Sequence, residues 1–421
     1  MRFGINTLDD IDVRGKTVLC RIDINEPVDK RTGELKDTTR IEKCVSTLRE
    51  ISGKGAKLVL MAHQGSDIEY KNFYTTAPHA KALEKFLGQP VKFMDDVCGP
   101  AAREAITALK AGEILLLDNV RFLSEEQTLF EQNLGLSHEE QAKTLLVQKL
   151  APLGDLYVCD AFAASHRDQP SLCGFEQVLP SAMGRLFEEE FCVISDIMEN
   201  PKRPCVFVLG GAKINDAFLM MTSVLKAGAA DTILAGGLVG QVLLWAQGAD
   251  IGEGSRAFIR KQGYGGLVDT GKQLLGSYGN RIVLPVDSAV LEKGKRAEYG
   301  LESLPRDANV LDIGGKTAAL FREHILGAKT VFVNGPVGVF EEPETEAGTK
   351  LVWDALGDTE AYTVLGGGDS ITATKKYGKT AQVSYICTGG GALIRFLTGE
   401  ELPVVRALRH GSGIKTKALQ G

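Results

Sequence analysis

Most of what would mark this chain for a membrane, a nucleic acid, a metal cluster or an oxidising compartment is missing from it. No apolar run approaches the length of a bilayer span. Met1-Arg-Phe-Gly-Ile-Asn6 is too short and too mixed to form the apolar part of a signal peptide. Basic residues are not in excess: 48 Lys and Arg face 54 Asp and Glu, for a formal net charge of −6, which argues against a general nucleic-acid binder. Cys20, Cys44, Cys98, Cys159, Cys173, Cys192, Cys205 and Cys387 never form a C-x-x-C pair, and several sit inside apolar runs. They read as buried, reduced thiols of a cytoplasmic protein. Neither H-E-x-x-H nor a clustered Cys/His set occurs, so there is no zinc signature. No G-x-G-x-x-G follows a predicted strand, and there is no G-x-S-x-G elbow. Gly314-Gly315-Lys316-Thr317 has the look of the end of a Walker A loop, but Val310 stands where its first glycine belongs, and that reading is rejected.

What remains is an α/β pattern. The 421 residues, 44% hydrophobic and with 48 glycines, are too many for one core and predict two or three domains. In the first half, strand-like runs at 17–25, 56–62, 91–94, 113–117 and 155–159 alternate with helical patterns at 40–52, 77–87 and 138–150. That order predicts parallel βαβ units in a doubly wound sheet. At the downstream ends of these strands, where open α/β sheets bind ligands, stand Arg21, Asp23 and Asn25, then His63 and Gln64, then Asp118, Asn119 and Arg121, then Asp160, His166 and Arg167. Arg40 starts the first helix. Arginine holds anions through a planar, permanently charged fork, so the rim reads as a pocket for a small anion. A solvated rim of ordinary ion pairs is the bland alternative for any one of these arginines.

Pro180-Ser-Ala-Met-Gly184 breaks the pattern, and a helix follows to about Glu199, before Pro201. The second half resumes strand and helix with glycine at its strand tips: Gly210-Gly211, Gly236-Gly237, Gly314-Gly315, Gly335 to Gly338, Gly366-Gly367-Gly368 and Gly389-Gly390-Gly391. Six such tips predict a shelf of bare backbone for a flat ring and a phosphate chain. Gly366-Gly-Gly-Asp369-Ser370 is the organising stretch: glycines for close approach, a helix N-terminus for phosphate, and Asp369 for a divalent metal bridging to it. The tail after Leu402 carries Arg406, Arg409, Lys415 and Lys417 and no acid; from the residues alone it is either disordered or packed back on the first domain.

Seven segments in one order, Arg21-Ile-Asp-Ile-Asn25, Asn119-Val-Arg121-Phe122 with Glu125-Glu126, Asp160 to Arg167, Leu209-Gly-Gly-Ala-Lys213, Asn334 to Glu341, Gly366 to Asp369 and Thr388-Gly-Gly-Gly391, resemble phosphoglycerate kinase. His63-Gln64-Gly65 and Gln169-Pro170-Ser171-Leu172 are closer to the archaeal branch of that family. The resemblance implies two Rossmann-like lobes: an acceptor domain over 1–183, a hinge helix over 184–200, a nucleotide domain over 201–402, and a segment over 403–421 that returns to the first lobe. It implies transfer of a phosphoryl group between ATP or ADP, with Mg²⁺, and a carboxylate, 3-phosphoglycerate being the first to try, in a cytoplasmic monomer without nucleic-acid or membrane partners. Arg21, Asp23, Asn25, His63, Arg121 and Arg167 match acceptor contacts. Arg40, Lys213, Gly368 and Gly391 match the catalytic set. Gly211, Gly237, Asn334, Pro336, Glu341, Gly367, Asp369 and Ser370 match nucleotide contacts, with Gly390 a further backbone contact and Asp369 also the metal ligand. The chain departs from the pattern at Ser66, where an arginine is expected, in the acidic and aromatic stretch 67–74, at Asp118 in place of glutamate, and at Ala217 in place of a second lysine. Ser66 and the altered stretch after it keep open an acyl-phosphate-forming kinase with another carboxylate; a non-catalytic nucleotide-binding protein of the same fold is the remaining alternative, against which the retained Lys213, Arg40 and Asp369 speak.

Overall fold

The computed structural model describes residues 1–65 and 73–414; Ser66, residues 67–72, and Lys415 and Lys417 lie outside the described residues. Internal contacts divide the chain into two compact units, Met1–Cys192 with Glu401–Gly421, and Val193–Glu400. Each is a parallel six-stranded sheet with flanking helices, the doubly wound α/β class that the alternation predicts.

In the first unit the strands are β1 (Thr17–Ile22), β2 (Lys57–Met61), β3 (Val91–Met94), β4 (Ile114–Leu117), β5 (Leu156–Asp160) and β6 (Ser181–Met183), in the order β3-β4-β2-β1-β5-β6. β1 is central, with Arg21 in register with Met61 on one side and Cys159 on the other. Parallel strands covered on both faces have no polar side to show; Val18, Cys20, Leu58, Leu60, Leu116 and Val158 form one core with Ile41, Cys44, Leu48 and Ile51 of the helix Thr39–Gly53. The three-to-four spacing of those helical residues is the amphipathic stripe. The helix starts under the Glu26 carboxylate, which accepts from the Arg40 and Ile41 amides at 2.6 and 3.2 Å.

Two expectations for this unit change. The helix expected over 138–150 is two, His138–Gln141 and Leu145–Leu150. The Thr144 hydroxyl turns back to the Gln141 carbonyl, and the Glu125 carboxylate accepts from the Leu145 and Leu146 amides at 3.1 and 2.6 Å, starting a new helix. The 180–184 stretch does not interrupt the sheet: Ser181–Met183 pairs in parallel with β5 and forms its edge. The tail, left open between disorder and packing on the first domain, takes the second course: among its described residues the helix Pro403–Ser412 packs on the first unit, its Ser412 hydroxyl accepting from the Asn6 amide at 2.8 Å.

The second unit has β7 (Cys205–Leu209), β8 (Thr232–Ala235), β9 (Ile282–Val283), β10 (Asp287–Glu292), β11 (Lys295–Gly300), β12 (Asp312–Ile313), β13 (Thr330–Asn334), β14 (Tyr362–Gly366) and β15 (Tyr385–Ile386). The parallel sheet runs β15-β14-β13-β7-β8-β9, and β11-β10-β12 form a separate antiparallel sheet. Trp353, Phe321, Val331 and Val333 are among the residues that fill its core. The helix Arg185–Glu199 crosses the division between the units. All eight cysteines are buried, and none is in a disulfide. Among the described residues no helix is long and apolar enough to cross a membrane.

Candidate active site

The predicted anion rim of the first unit is brought together, but not all of it faces outward. His63 is 5% exposed, and its basicity is pushed well below the ordinary imidazole value, first by burial and then by the charges of Arg121, Arg21, Arg167 and Arg40. Four guanidinium groups therefore act on one neutral ring. Arg40 and Arg167 stay half-buried. Arg40 pairs with Asp23, and Arg167 bonds the Thr128 hydroxyl at 2.9 Å. Arg121 is buried; it donates to the Gly65 carbonyl and lies 6.0 Å from the Phe73 ring centroid. Asn25 closes the floor by exchanging bonds with Gly65, accepting from its amide at 2.9 Å and donating to its carbonyl at 3.3 Å. Arg21 is only 1% exposed, so the structure places it behind His63 rather than on the open rim.

Two acids expected at strand ends have structural work. The Asp118 carboxylate accepts from the Thr76 and Asn119 amides, each at 2.7 Å, and so holds Thr76, the residue from which the helix Ala77–Leu87 starts. Asp160 is fully buried, and Oδ1 accepts from the Phe187 amide at 3.1 Å in the first turn of the helix Arg185–Glu199. Burial pushes its carboxyl up to about 7 from 3.8. The native state holds this proton where the unfolded chain has lost it, so the group's contribution to stability falls as pH rises from about 4 through about 7. Asp160→Asn keeps the acceptor and cannot ionise. Its denaturation midpoint should therefore fall less than that of the parent chain between pH 5 and pH 8, the difference in free energy being on the order of 3 kcal/mol at most. Parallel curves for the two proteins would contradict the buried neutral acid.

In the second unit the loops after β7, β8 and β13 are laced together. Gly210 donates to the Asn334 carbonyl at 3.0 Å, and Gly211 and Gly237 donate to the Pro336 and Val337 carbonyls at 2.7 Å each. Glycine is required where the loops touch: a Cβ on Gly335, at φ +92°, would lie 2.4 Å from the Gly210 carbonyl oxygen. Gly368 and Gly390, by contrast, would present an added Cβ to open space. The expected six tips reduce to five. Gly314 and Gly315 follow β12 of the antiparallel sheet, and the start of their helix, Gly315–Gly327, is already filled by carboxylates. Asp287 accepts from the Lys316 and Thr317 amides at 2.9 and 2.8 Å, and Glu298 accepts from Gly315 at 2.9 Å. That leaves no vacancy for phosphate there, in line with the rejected Walker A reading.

A cavity of about 270 Å³ opens beside this lacing, lined by Gly211, Ala212, Gly237, Leu238, Gln241, Phe258, Asn309, Val310, Leu311, Pro336, Gly338, Val339, Phe340, Glu341 and Asp369. Of the predicted nucleotide residues it gathers Gly211, Gly237, Pro336, Glu341 and Asp369. Asn334, Gly367 and Ser370 lie outside its lining, and the buried Ser370 hydroxyl is spent on the Gly335 amide at 2.7 Å. Glu341 and Asp369 are exposed, and Asp369 is in the first turn of the helix Gly368–Lys376, whose start has no side-chain cap. A single exposed carboxylate at such a point fits a Mg²⁺ ion whose other ligands are phosphates and water. Lys213 is exposed at the start of the helix Ile214–Lys226, with no carboxylate partner among the described residues. The apolar wall escaped the sequence reading. Only the structure shows Phe258 41% exposed on a helix whose buried positions are Ser255 and Ile259. Val310 and Leu311 are held by β12, where Asp312 anchors the Gly348 amide at 2.6 Å and accepts from Arg296 at 2.9 Å.

Paired parallel sheets, an arginine cluster around a neutral histidine and a glycine-floored cavity with an open carboxylate define a phosphotransferase of the two-lobed α/β class. The family model described as phosphoglycerate kinase matches residues 8–400. The phosphoglycerate kinase of Methanothermobacter thermautotrophicus is 45% identical over 97% of both chains, and that of Thermococcus kodakarensis 42% identical over 96% of both. The crystal structure of phosphoglycerate kinase from Pyrococcus horikoshii superposes with a TM-score of 0.85 at 39% identity, covering 97% of this chain and 99% of that one. The structure of phosphoglycerate kinase from Coxiella burnetii gives 0.82 at 27% identity, covering 96% and 98%. This chain belongs to the phosphoglycerate kinase family.

Proposed function

We propose that the protein is an ATP-dependent carboxylate kinase that moves a phosphoryl group reversibly between ATP or ADP and 3-phosphoglycerate, as a step of glycolysis or gluconeogenesis in the cytoplasm. The observation that carries this reading is the set of four guanidinium groups acting on His63, a site built for an acid with more than one negative charge. Asp23, Asn25, Arg40, His63, Arg121 and Arg167 take the acceptor, with Arg40 and Arg167 the arginines that keep open surface. The nucleobase enters the apolar cavity of the second unit, and Glu341, Pro336, Gly211 and Gly237 frame it. Asn334, Gly367 and Ser370 act at its edge through loop geometry. Asp369 holds Mg²⁺, which supplies charge neutralisation on the nucleotide's phosphates.

Phosphoryl transfer asks little covalent chemistry of the protein; it asks for in-line placement and positive charge on the equatorial oxygens. Lys213, Arg40 and the uncapped first turns of the helices Gly368–Lys376 and Gly390–Leu397, the second holding Gly391, supply that charge. In-line transfer also needs both substrates within reach and water kept out. The helix Arg185–Glu199, which leads from one unit to the other, is the element expected to accommodate that movement. The chain is taken to act as a monomer.

Incubation with ATP, Mg²⁺ and a panel of carboxylates in hydroxylamine tests the proposal, because acyl phosphates are trapped as hydroxamates. Hydroxamate from 3-phosphoglycerate is the expected result. Product only from other acids would redirect the substrate, and product from none would end the catalytic reading.

A further inference from the structure

A buried arginine with every arm engaged is not placed to bind a substrate. Arg21 lies in β1 with only 1% of its surface exposed. Nε donates to the Ser171 hydroxyl at 3.0 Å, one terminal nitrogen donates to the Ile22 carbonyl at 2.5 Å, and the other is 2.9 Å from Nδ1 of His63. A guanidinium carries donors only. Nδ1 of His63 must therefore accept, and it has no proton of its own. We infer that Arg21 is a positioning residue that holds His63 in the neutral form protonated on Nε2.

The surroundings brace this arrangement. Ser171 is fully buried; its amide donates to Glu126 Oε1 at 2.5 Å, and its carbonyl accepts from the Tyr157 hydroxyl at 2.7 Å. Glu126 and Tyr157 are themselves buried, so the anchor for Nε of Arg21 has nowhere to relax. Burial and four neighbouring positive charges disfavour a second proton on the ring. Nε2 makes no hydrogen bond among the described residues and is the donor left for an anionic oxygen. The opposite tautomer would present a lone pair there and repel the acceptor. Arg21 thus acts on the substrate through His63, an inference that rests on His63 being an acceptor contact.

The test reads the ring directly. In ligand-free full-length protein with ¹⁵N-labelled histidine, His63→Gln identifies the signal of His63 by its loss. The expected pattern is an unprotonated δ1 and a protonated ε2 nitrogen at neutral pH. Arg21→Met should shift the ring toward a mixture of tautomers and lower kcat about ten- to hundredfold, with the KM for nucleotide unchanged. Ser171→Ala, which keeps the charge and removes only the anchor, should move both readouts the same way by less, and it decides the matter if Arg21→Met fails to fold. A proton on Nδ1 in the parent protein would overturn the inference. So would an Arg21→Met variant that keeps the ε2 tautomer and raises only the KM for the acceptor, the mark of a direct ligand. Because the tautomer is read without substrate, its outcome stands apart from whether 3-phosphoglycerate is the acceptor.

Discussion

Replacing Lys213 by alanine is expected to lower kcat by about 10²- to 10³-fold, while the equilibrium affinity for Mg-nucleotide changes by a few fold. The physical reason is where the lysine stands. Gly211 and Ala212 line the cavity, but Lys213 itself does not; it follows them as an exposed side chain at the start of the helix Ile214–Lys226. With no carboxylate to neutralise it among the described residues, its charge is available to a ligand. An ammonium beyond the base-binding end of a nucleotide site contributes most where charge develops on the transferring group, and only such differential binding raises turnover. Steady-state rates and a nucleotide titration on the same preparation separate the two quantities. Equal losses in both would remove Lys213 from the transfer step and leave it a ground-state contact.

The second large effect separates two glycines that look alike in the sequence. An added Cβ on Gly210 would stand 2.1 Å from the Pro336 carbonyl oxygen. The loop cannot withdraw without breaking the bonds that Gly210 and Gly211 donate to Asn334 and Pro336. Gly210→Ala should cost about 3 kcal/mol of stability and weaken nucleotide binding with it. Gly368→Ala places its methyl in open space at the first position of a helix, where alanine is a better helix former than glycine. Its Tm should be unchanged or higher, yet the methyl would stand where a phosphate approaches the helix start, raising the KM for nucleotide. Unchanged nucleotide kinetics in Gly368→Ala would reduce the triplet to a strand-to-helix turn.

These glycines also show how far a reading of residues can go. The strands were legible because a parallel strand buried on both faces must be an apolar run, as β7 is in Cys205-Val-Phe-Val-Leu209. The helix Ala77–Leu87 was legible to the residue because Pro78 marks its first turn and Gly88, at φ +72°, ends it. The 138–150 helix was misread because the group that breaks it, Glu125, lies outside the helical pattern. The tip at Gly314 was misread because the carboxylate that fills it, Asp287, arrives from a hairpin that the helix–strand alternation does not announce. The buried roles of Asp118 and Asp160 were hidden for the same reason, since an acid at a strand end and an acid holding the start of a neighbouring helix are the same letter.

The residues by themselves determined the α/β class, the reduced and buried cysteines, the family, and the arginines and glycines around which its chemistry is proposed. Each of these follows from local pattern or from the order of motifs, and neither depends on what packs against what. Which arginine is open and which is sealed behind His63, which glycines exist for loop contact and which for a ligand, and what walls the cavity were decided only by tertiary packing. Exposure and hydrogen-bond partners are properties of neighbours brought together from distant parts of the chain, and no run of adjacent residues carries them.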